Sequence, residues 1–150
     1  MRPLVIREFV AADQAAARSL ILEGLGDHFG FIDTSLNPDL QDIEQSYIRN
    51  GHVFLVAEID GKVVGTGGLV LESPLQGRIV RMSVASSYRR RGIARSLVHR
   101  IVECARARAL GELVVATQPE WADALGLYRA VGFVPFDRNE IDVQMRLRLS

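Results

Sequence analysis

The chain has one cysteine, Cys104, in 150 residues, which excludes a framework of internal disulfides and fits a reducing compartment. It has one lysine, Lys62, among eighteen basic residues, so its positive charge is almost entirely arginine. No run approaches the ~20 apolar residues a membrane span needs, and no signal-peptide pattern opens the chain. A cytoplasmic protein with no membrane partner is therefore expected. Repeats, low-complexity tracts and linkers are absent, so one domain is expected to span 1–150. Net charge is also lacking, at 18 Lys+Arg against 18 Asp+Glu. That balance hides an uneven distribution. Residues 78–108 hold nine arginines against Glu103, whereas residues 1–77 hold eleven acids against five bases. One basic segment in a neutral chain points to a local anionic ligand rather than to nucleic acid, and no aromatic platform for single strands is interleaved with it.

What is present is a succession of strand and helix patterns. Leu4 to Phe9 reads as a strand, and Asp13 caps a helix through about Glu23 that Gly24 and Gly26 end. Asp27 to Pro38 reads as a loop and Asp39 to Asn50 as a second helix. The strands Val53 to Ile59 and Val63 to Leu71 are joined by Asp60-Gly61, a hairpin signal. Gly65, Gly67 and Gly68 inside the second of them suggest a bulge or a close backbone approach. A strand at 79–84, a helix at 93–109, a strand at 113–117, a helix at 121–131 and strands at 133–136 and 141–149 follow. The sum is a mixed α/β domain around a meandering sheet, its last strand a candidate homodimer interface. Cys104 falls inside the long helix, where packing suits it better than nucleophilic chemistry.

The organising stretch is Val84 to Leu97, in which a strand turns into a helix across three arginines and a glycine. The first N–H groups of such a helix are unpaired and its dipole is positive there, which suits phosphate. Gly92 lets the main chain approach a ligand. Arg89, Arg90 and Arg91 can each add a charge-assisted hydrogen bond of about 1.5–3 kcal/mol. Arginines disfavour a helix start by up to about 1 kcal/mol each, so three together need an anion, an acidic partner or full solvation. A solvated loop is the plain alternative.

Arg89-Arg90-Arg91-Gly92-Ile93-Ala94 resembles the Gln/Arg-x-x-Gly-x-Gly/Ala motif of the GNAT superfamily of N-acetyltransferases. Ala124-Leu125-Gly126-Leu127-Tyr128-Arg129-Ala130-Val131-Gly132-Phe133 resembles its downstream Ala-x-x-Leu-Tyr-x-x-x-Gly-Phe segment. The two occur in the expected order about thirty residues apart. The resemblance implies the superfamily fold, in which parallel strands splay, here 79–84 and 113–117, and acetyl-CoA enters the gap as acyl donor, without a metal. It implies that the backbone of Met82, Ser83 and Val84 pairs with the pantetheine arm, a form of β-augmentation. It further implies that Arg89, Arg90, Arg91, Gly92, Ile93, Ala94 and Arg95 hold the pyrophosphate. Tyr128 takes the general-acid role, neutralising the expelled thiolate; a core aromatic with its hydroxyl on a carbonyl is the alternative.

Two departures stand out. Trp121 lies near a position where the superfamily often has Asn, so it packs on the pantetheine arm or fills core. Arg78 stands where histone-type members carry a catalytic Glu, and arginine accepts no proton. Glu58, Glu72, His28 and His52 remain as candidate bases. Arg78 and Arg81 suggest a clamp for a carboxylate or phosphate on a small amine acceptor, with ion pairs to acids of the first half as the alternative. Phe29 and Phe31, with His28 and Asp33, border the region where the acceptor site is expected. Competing readings are a non-catalytic CoA-binding module and an acetyltransferase for protein or peptide amines.

Overall fold

The computed structural model describes residues 3–29, 37–119 and 121–149, with backbone alone at 27–29. Seven strands form one sheet: β1 Leu4–Glu8, β2 Val53–Ile59, β3 Lys62–Leu71, β4 Gln76–Val84, β5 Glu112–Thr117, β6 Val134–Arg138 and β7 Val143–Arg148. Their spatial order is β1-β2-β3-β4-β5-β7-β6. Among the described residues, the α-helices α1 Gln14–Phe29, α2 Ile93–Ala107 and α3 Ala122–Val131 accompany it. Every neighbouring pair is antiparallel except β4 and β5. A parallel pair needs a long crossover, and α2 supplies it.

The unbroken apolar run of β2, buried from Val53 to Ala57, is what a strand covered on both faces requires. Leu55 and Ala57 face a cluster with Val64, Leu97, Ile101, Tyr128 and Phe133. Phe54 and Val56 face another, with Ala17, Ile21, Leu40, Ile43 and Tyr47. The apolar stripe of α2, Ile93, Leu97, Val98, Ile101, Val102 and Ala105, is wholly buried, as its spacing predicts. Gly65 explains how closely α2 lies. A Cβ there would stand 3.1 Å from both Ile93 and Leu97 side chains, so the expected close approach is real.

Two expectations are corrected. α1 does not stop at Gly24 and Gly26 but continues to Phe29. A Cβ on Gly24 would stand 2.9 Å from Ser83 Oγ, so the glycine serves helix-to-sheet packing. That contact outweighs the ~1 kcal/mol a helical glycine costs. Residues 39–50 are not one helix. A 3₁₀ turn, Pro38–Gln41, is followed by a π-helical turn, Glu44–Ile48, in which Arg49 N–H donates to Glu44 O and His52 N–H to Tyr47 O, each 2.9 Å. The periodic apolar residues Leu40, Ile43 and Tyr47 are all buried; the backbone is wound tighter and then wider to bury them. Asp13 ends a 3₁₀ turn before α1, where it accepts from Val10 N–H at 2.9 Å and from both Arg7 amino groups.

Candidate functional site

The site begins where β4 and β5 part. They pair only at Gln76–Glu112, Gly77–Leu113 and Arg78–Val114. Beyond that, β4 stays on β3 as far as the Gly65–Val84 pair, and β5 stays on β7 as far as Thr117–Val143. The facing edges, Ile79–Val84 and Val115–Thr117, have no ladder partner across the gap. Such edges present N–H and C=O groups that an extended chain with amides can satisfy. Thr117, 4% exposed near the open end of β5, has a buried hydroxyl with no hydrogen-bond partner among the described residues. Leaving it so costs about 1–3 kcal/mol, and a ligand in the gap is one way to recover that. Within the gap wall, Met82 lies against Gly67, where a Cβ would stand 2.6 Å from its sulfur. Ser83 lies beside Gly24, its Oγ 3.5 Å from Leu20 O.

At the end of β4 the chain makes a 3₁₀ turn, Ser86–Tyr88, and enters the arginine turn. Arg90 and Gly92 both have left-handed backbone, φ 63° and 80°. Left-handed residues on either side of Arg91 are the kind of backbone from which anion nests are built. Gly92 is the N-cap of α2 without any side-chain cap, and no acid stands in the first turn, so the N–H groups of Ile93, Ala94 and Arg95 stay available. A Cβ on Gly92 would meet nothing of this chain within 4 Å; it would project into the open space before the turn. The residues therefore fit a pyrophosphate. Arg89 Nε donates to Val84 O at 3.2 Å, and Arg91 lies over the Tyr88 ring at 5.1 Å, with Lys62 at 5.8 Å from the same ring. The Ile93 side chain is in the core, so only its main chain faces the turn.

Tyr128 projects from α3 into the core cluster, 4% exposed, edge-on to Phe133 at 5.5 Å. Its hydroxyl makes no hydrogen bond among the described residues. Burial pushes its pKa well up, so it keeps its proton throughout the physiological range. Gly132, φ 117°, ends α3, and Phe133 N–H closes back on Tyr128 O at 2.9 Å. Trp121 is the N-cap residue of α3, partly buried, with Leu125 N–H on its carbonyl. Cys104 is half-buried, and burial raises its pKa, which keeps it a thiol rather than a nucleophilic thiolate.

The candidate clamp and the candidate bases are already engaged within the chain. Arg78, at the apex of the gap, gives Nε to Glu72 at 2.8 Å and Nη1 to Gln144 at 3.0 Å. Arg81 gives both prongs to Asp39, at 2.6 and 3.0 Å. Burial alone would raise the Glu72 carboxyl, but Arg78 and Gln76 outweigh it and hold the pKa below the usual range, which makes Glu72 a poor base. Glu58 is held by Arg7 at 3.3 Å. His52 Nδ1 accepts from Leu71 N–H at 3.0 Å. The side chains of His28 and Phe29, and all of Phe31 and Asp33, lie outside the described residues. The alternative, ion pairs to acids of the first half, is what the structure shows for both arginines. What sequence reasoning missed is which acid meets Arg81 and that Tyr47 and Thr66 join it, none near it in the chain. Among the described residues no group of three His, Cys, Asp or Glu could hold a metal, and no helix is long and apolar enough to cross a membrane.

Comparison with known proteins agrees with this geometry. N-acetyltransferase 8B of Homo sapiens is 34% identical over 123 residues, 78% of this chain and 54% of that protein. The chain thus spans about half the length of the curated relatives it matches. An acetyltransferase of the GNAT family from Staphylococcus aureus superposes with a TM-score of 0.89 at 22% identity, over 99% of this chain and 100% of that one. The PaiA N-acetyltransferase of Thermoplasma acidophilum, crystallised with coenzyme A, superposes with a TM-score of 0.85 at 14% identity, over 97% and 99%. The profile of the acetyltransferase (GNAT) family matches residues 18–133, from α1 through the arginine turn to Phe133, and the chain belongs to that family.

Proposed function

We propose that this chain is an acetyl-CoA-dependent N-acetyltransferase that moves an acetyl group directly to the primary amine of a small molecule. The observation that carries this reading is the continuity of two features: the gap between β4 and β5 leads straight into the anion nest at Arg90–Gly92. Bound acetyl-CoA supplies the acyl group as an activated thioester. The chain's residues then hold the donor at its two ends. The nest and the N-terminus of α2 take the phosphates, and the free edge of β4 takes the arm through backbone hydrogen bonds. Tyr128, which keeps its proton until then, donates it to the departing sulfur and takes one back from solvent when the donor has left. With Glu58, Glu72 and His52 engaged elsewhere, the amine loses its proton to water. Arg78 keeps one amino group beyond its two bonds, at the apex of the gap, and supplies a contact for an acceptor that carries an acid.

Calorimetric titration with acetyl-CoA tests the donor site, and thiol release in the presence of a panel of small amines tests the transfer. Micromolar binding with amine-dependent thiol release is expected. Tyr128→Phe is expected to cut the rate at least about a hundredfold with donor affinity retained. Binding without release across the panel would favour a non-catalytic CoA-binding module, and no binding would overturn the reading.

A further inference from the structure

One residue of β4 is out of step with its ladder. Thr66 pairs with Ser83 and Gly68 with Val80, so Arg81 and Met82 share the single place opposite Gly67. Two residues against one make a β-bulge, and Arg81 sits in it with φ 54°, a conformation disfavoured for a long side chain. The chain over-determines it from two sides. The fully buried Thr66 hydroxyl donates to Arg81 O at 2.8 Å. The Arg81 guanidinium forks onto Asp39, Nη2 to Oδ1 at 2.6 Å and Nε to Oδ2 at 3.0 Å, and the Tyr47 hydroxyl donates to the same Oδ2 at 2.6 Å.

Both partners come from backbone that departs from α geometry. Asp39 is in the 3₁₀ turn and Tyr47 in the π turn. The Tyr47 ring is fixed on Phe54 of β2 at 5.0 Å between centroids. The latch is thus bolted to the core at one end and to β4 at the other. Its place matters. The bulge lies three residues past Arg78, within the stretch whose outer edge is free. A bulge turns the strand that carries it, so it decides which N–H and C=O groups of the next residues point across the gap. Strained backbone held this firmly is typical of functional sites.

We propose that Arg81 is a positioning residue: its ion pair with Asp39, closed by Tyr47 and backed by Thr66, locks the β4 bulge and so aims the backbone of Met82, Ser83 and Val84 at the pantetheine arm of the acyl donor. This rests on the donor reading above. It also means that the fork of Arg81 is committed inside the chain and is not the clamp for the acceptor's acid.

Arg81→Gly tests it, because glycine takes φ 54° without strain while the latch is lost. Asp39→Asn is the companion, keeping shape and removing charge. Each variant and the parent are titrated with acetyl-CoA and with adenosine 3′-phosphate 5′-diphosphate, which has the phosphates but no pantetheine. The expected result is a loss of about tenfold in acetyl-CoA affinity with the nucleotide within about twofold of the parent. Tyr47→Phe, which removes one bond, is expected to cost acetyl-CoA about threefold. Unchanged acetyl-CoA affinity overturns the inference, and so does an equal loss for both ligands, which would mean general loosening. Should Arg81→Gly fail to fold, Asp39→Asn carries the same comparison. A parent that binds neither ligand overturns the donor reading itself, a result distinct from either of these.

Discussion

Arg81 and Arg90 share an unusual backbone, φ 54° and 63°, and stand at the two ends of the proposed donor site. Arg81 is partly buried: its guanidinium forks onto Asp39, which Tyr47 closes from its other side, and its carbonyl accepts from Thr66. Arg90 is exposed and has no ion pair among the described residues. The inner residue is held by the chain; the outer one is, in the proposed reading, left for a ligand. The difference teaches a division of labour. Where direction must be fixed before a ligand arrives, the strain is compensated internally. Where charge must be met, the positive groups are left for the ligand to satisfy, because a guanidinium already paired would have to give up that partner first.

The largest effect should come from spoiling the outer end. Gly92→Asp places a carboxylate in the open nest, where it repels phosphate and competes for the N–H groups. Acetyl-CoA affinity is expected to fall at least about a hundredfold, some 2.7 kcal/mol, as read by calorimetry. Thermal stability should fall only by the strain of a non-glycine residue at φ 80°, about 1 kcal/mol, since a Cβ there otherwise meets nothing. The inner end should behave the other way in a melt. Asp39→Ala leaves Arg81 without its counter-charge and Tyr47 without its acceptor, and should cost about 2 kcal/mol of stability. In a domain of this size that lowers Tm by roughly 4–8 °C. An Asp39→Ala protein as stable as the parent would show that the latch is not a fixed element.

Acid should separate the ends a third way. Burial would raise the Asp39 carboxyl, but the Arg81 guanidinium and the Tyr47 hydroxyl outweigh it and hold its pKa below the usual range. Asp13 is likewise held down, chiefly by Arg7. A depressed carboxyl contributes stability above its unfolded pKa, near 4, and loses it as pH falls through the lower folded value. Urea unfolding should therefore show the stability difference between the parent and Asp39→Asn shrinking below about pH 4 and constant above it. A difference that persists undiminished in acid would mean the carboxylate charge is not what holds Arg81.

The same contrast explains what could be read from the sequence. The outer end was legible because its determinants are consecutive: three arginines, a glycine and an apolar stripe starting at Ile93, all reporting one turn and one helix. The inner end was legible only as an unassigned alternative, an ion pair to some acid of the first half, because Arg81 and Asp39 are 42 residues apart and neither carries a local signature. The glycines of β3 did announce a bulge or close approach, yet only the register shows that Gly67 faces two residues. Gly24 was misread for a related reason. A glycine in a helical pattern argues for a stop when only local propensity is known, and the opposing contact with Ser83 is tertiary. At 39–50 the spacing identified the buried side chains correctly and the backbone geometry wrongly, since burial can be met by a 3₁₀ and a π turn as well as by an α-helix. The gap was expected from resemblance alone; its apex at Arg78 and Val114 follows from pairing that no pattern of residue types encodes.

The sharpest test makes one substitution at both ends, where the effect at Arg90 is the smallest expected. Replacing arginine by glycine relieves a left-handed backbone, worth about 1–2 kcal/mol, and gives back roughly 0.4–1 kcal/mol to the flexibility of the unfolded chain. At Arg90 nothing else changes inside the protein, so Arg90→Gly should leave stability within about 0.5–1 kcal/mol of the parent, on the favourable side, while weakening donor binding. At Arg81 the same relief is overtaken by the loss of a bidentate ion pair whose side chains are 21% and 28% exposed. Arg81→Gly should therefore be less stable than Arg90→Gly by about 2 kcal/mol, or some 4–8 °C in parallel melts. Equal melting temperatures would mean that the Asp39 contact offsets no more than the strain it holds, and the division between a fixed inner end and an open outer end would fail at its thermodynamic base.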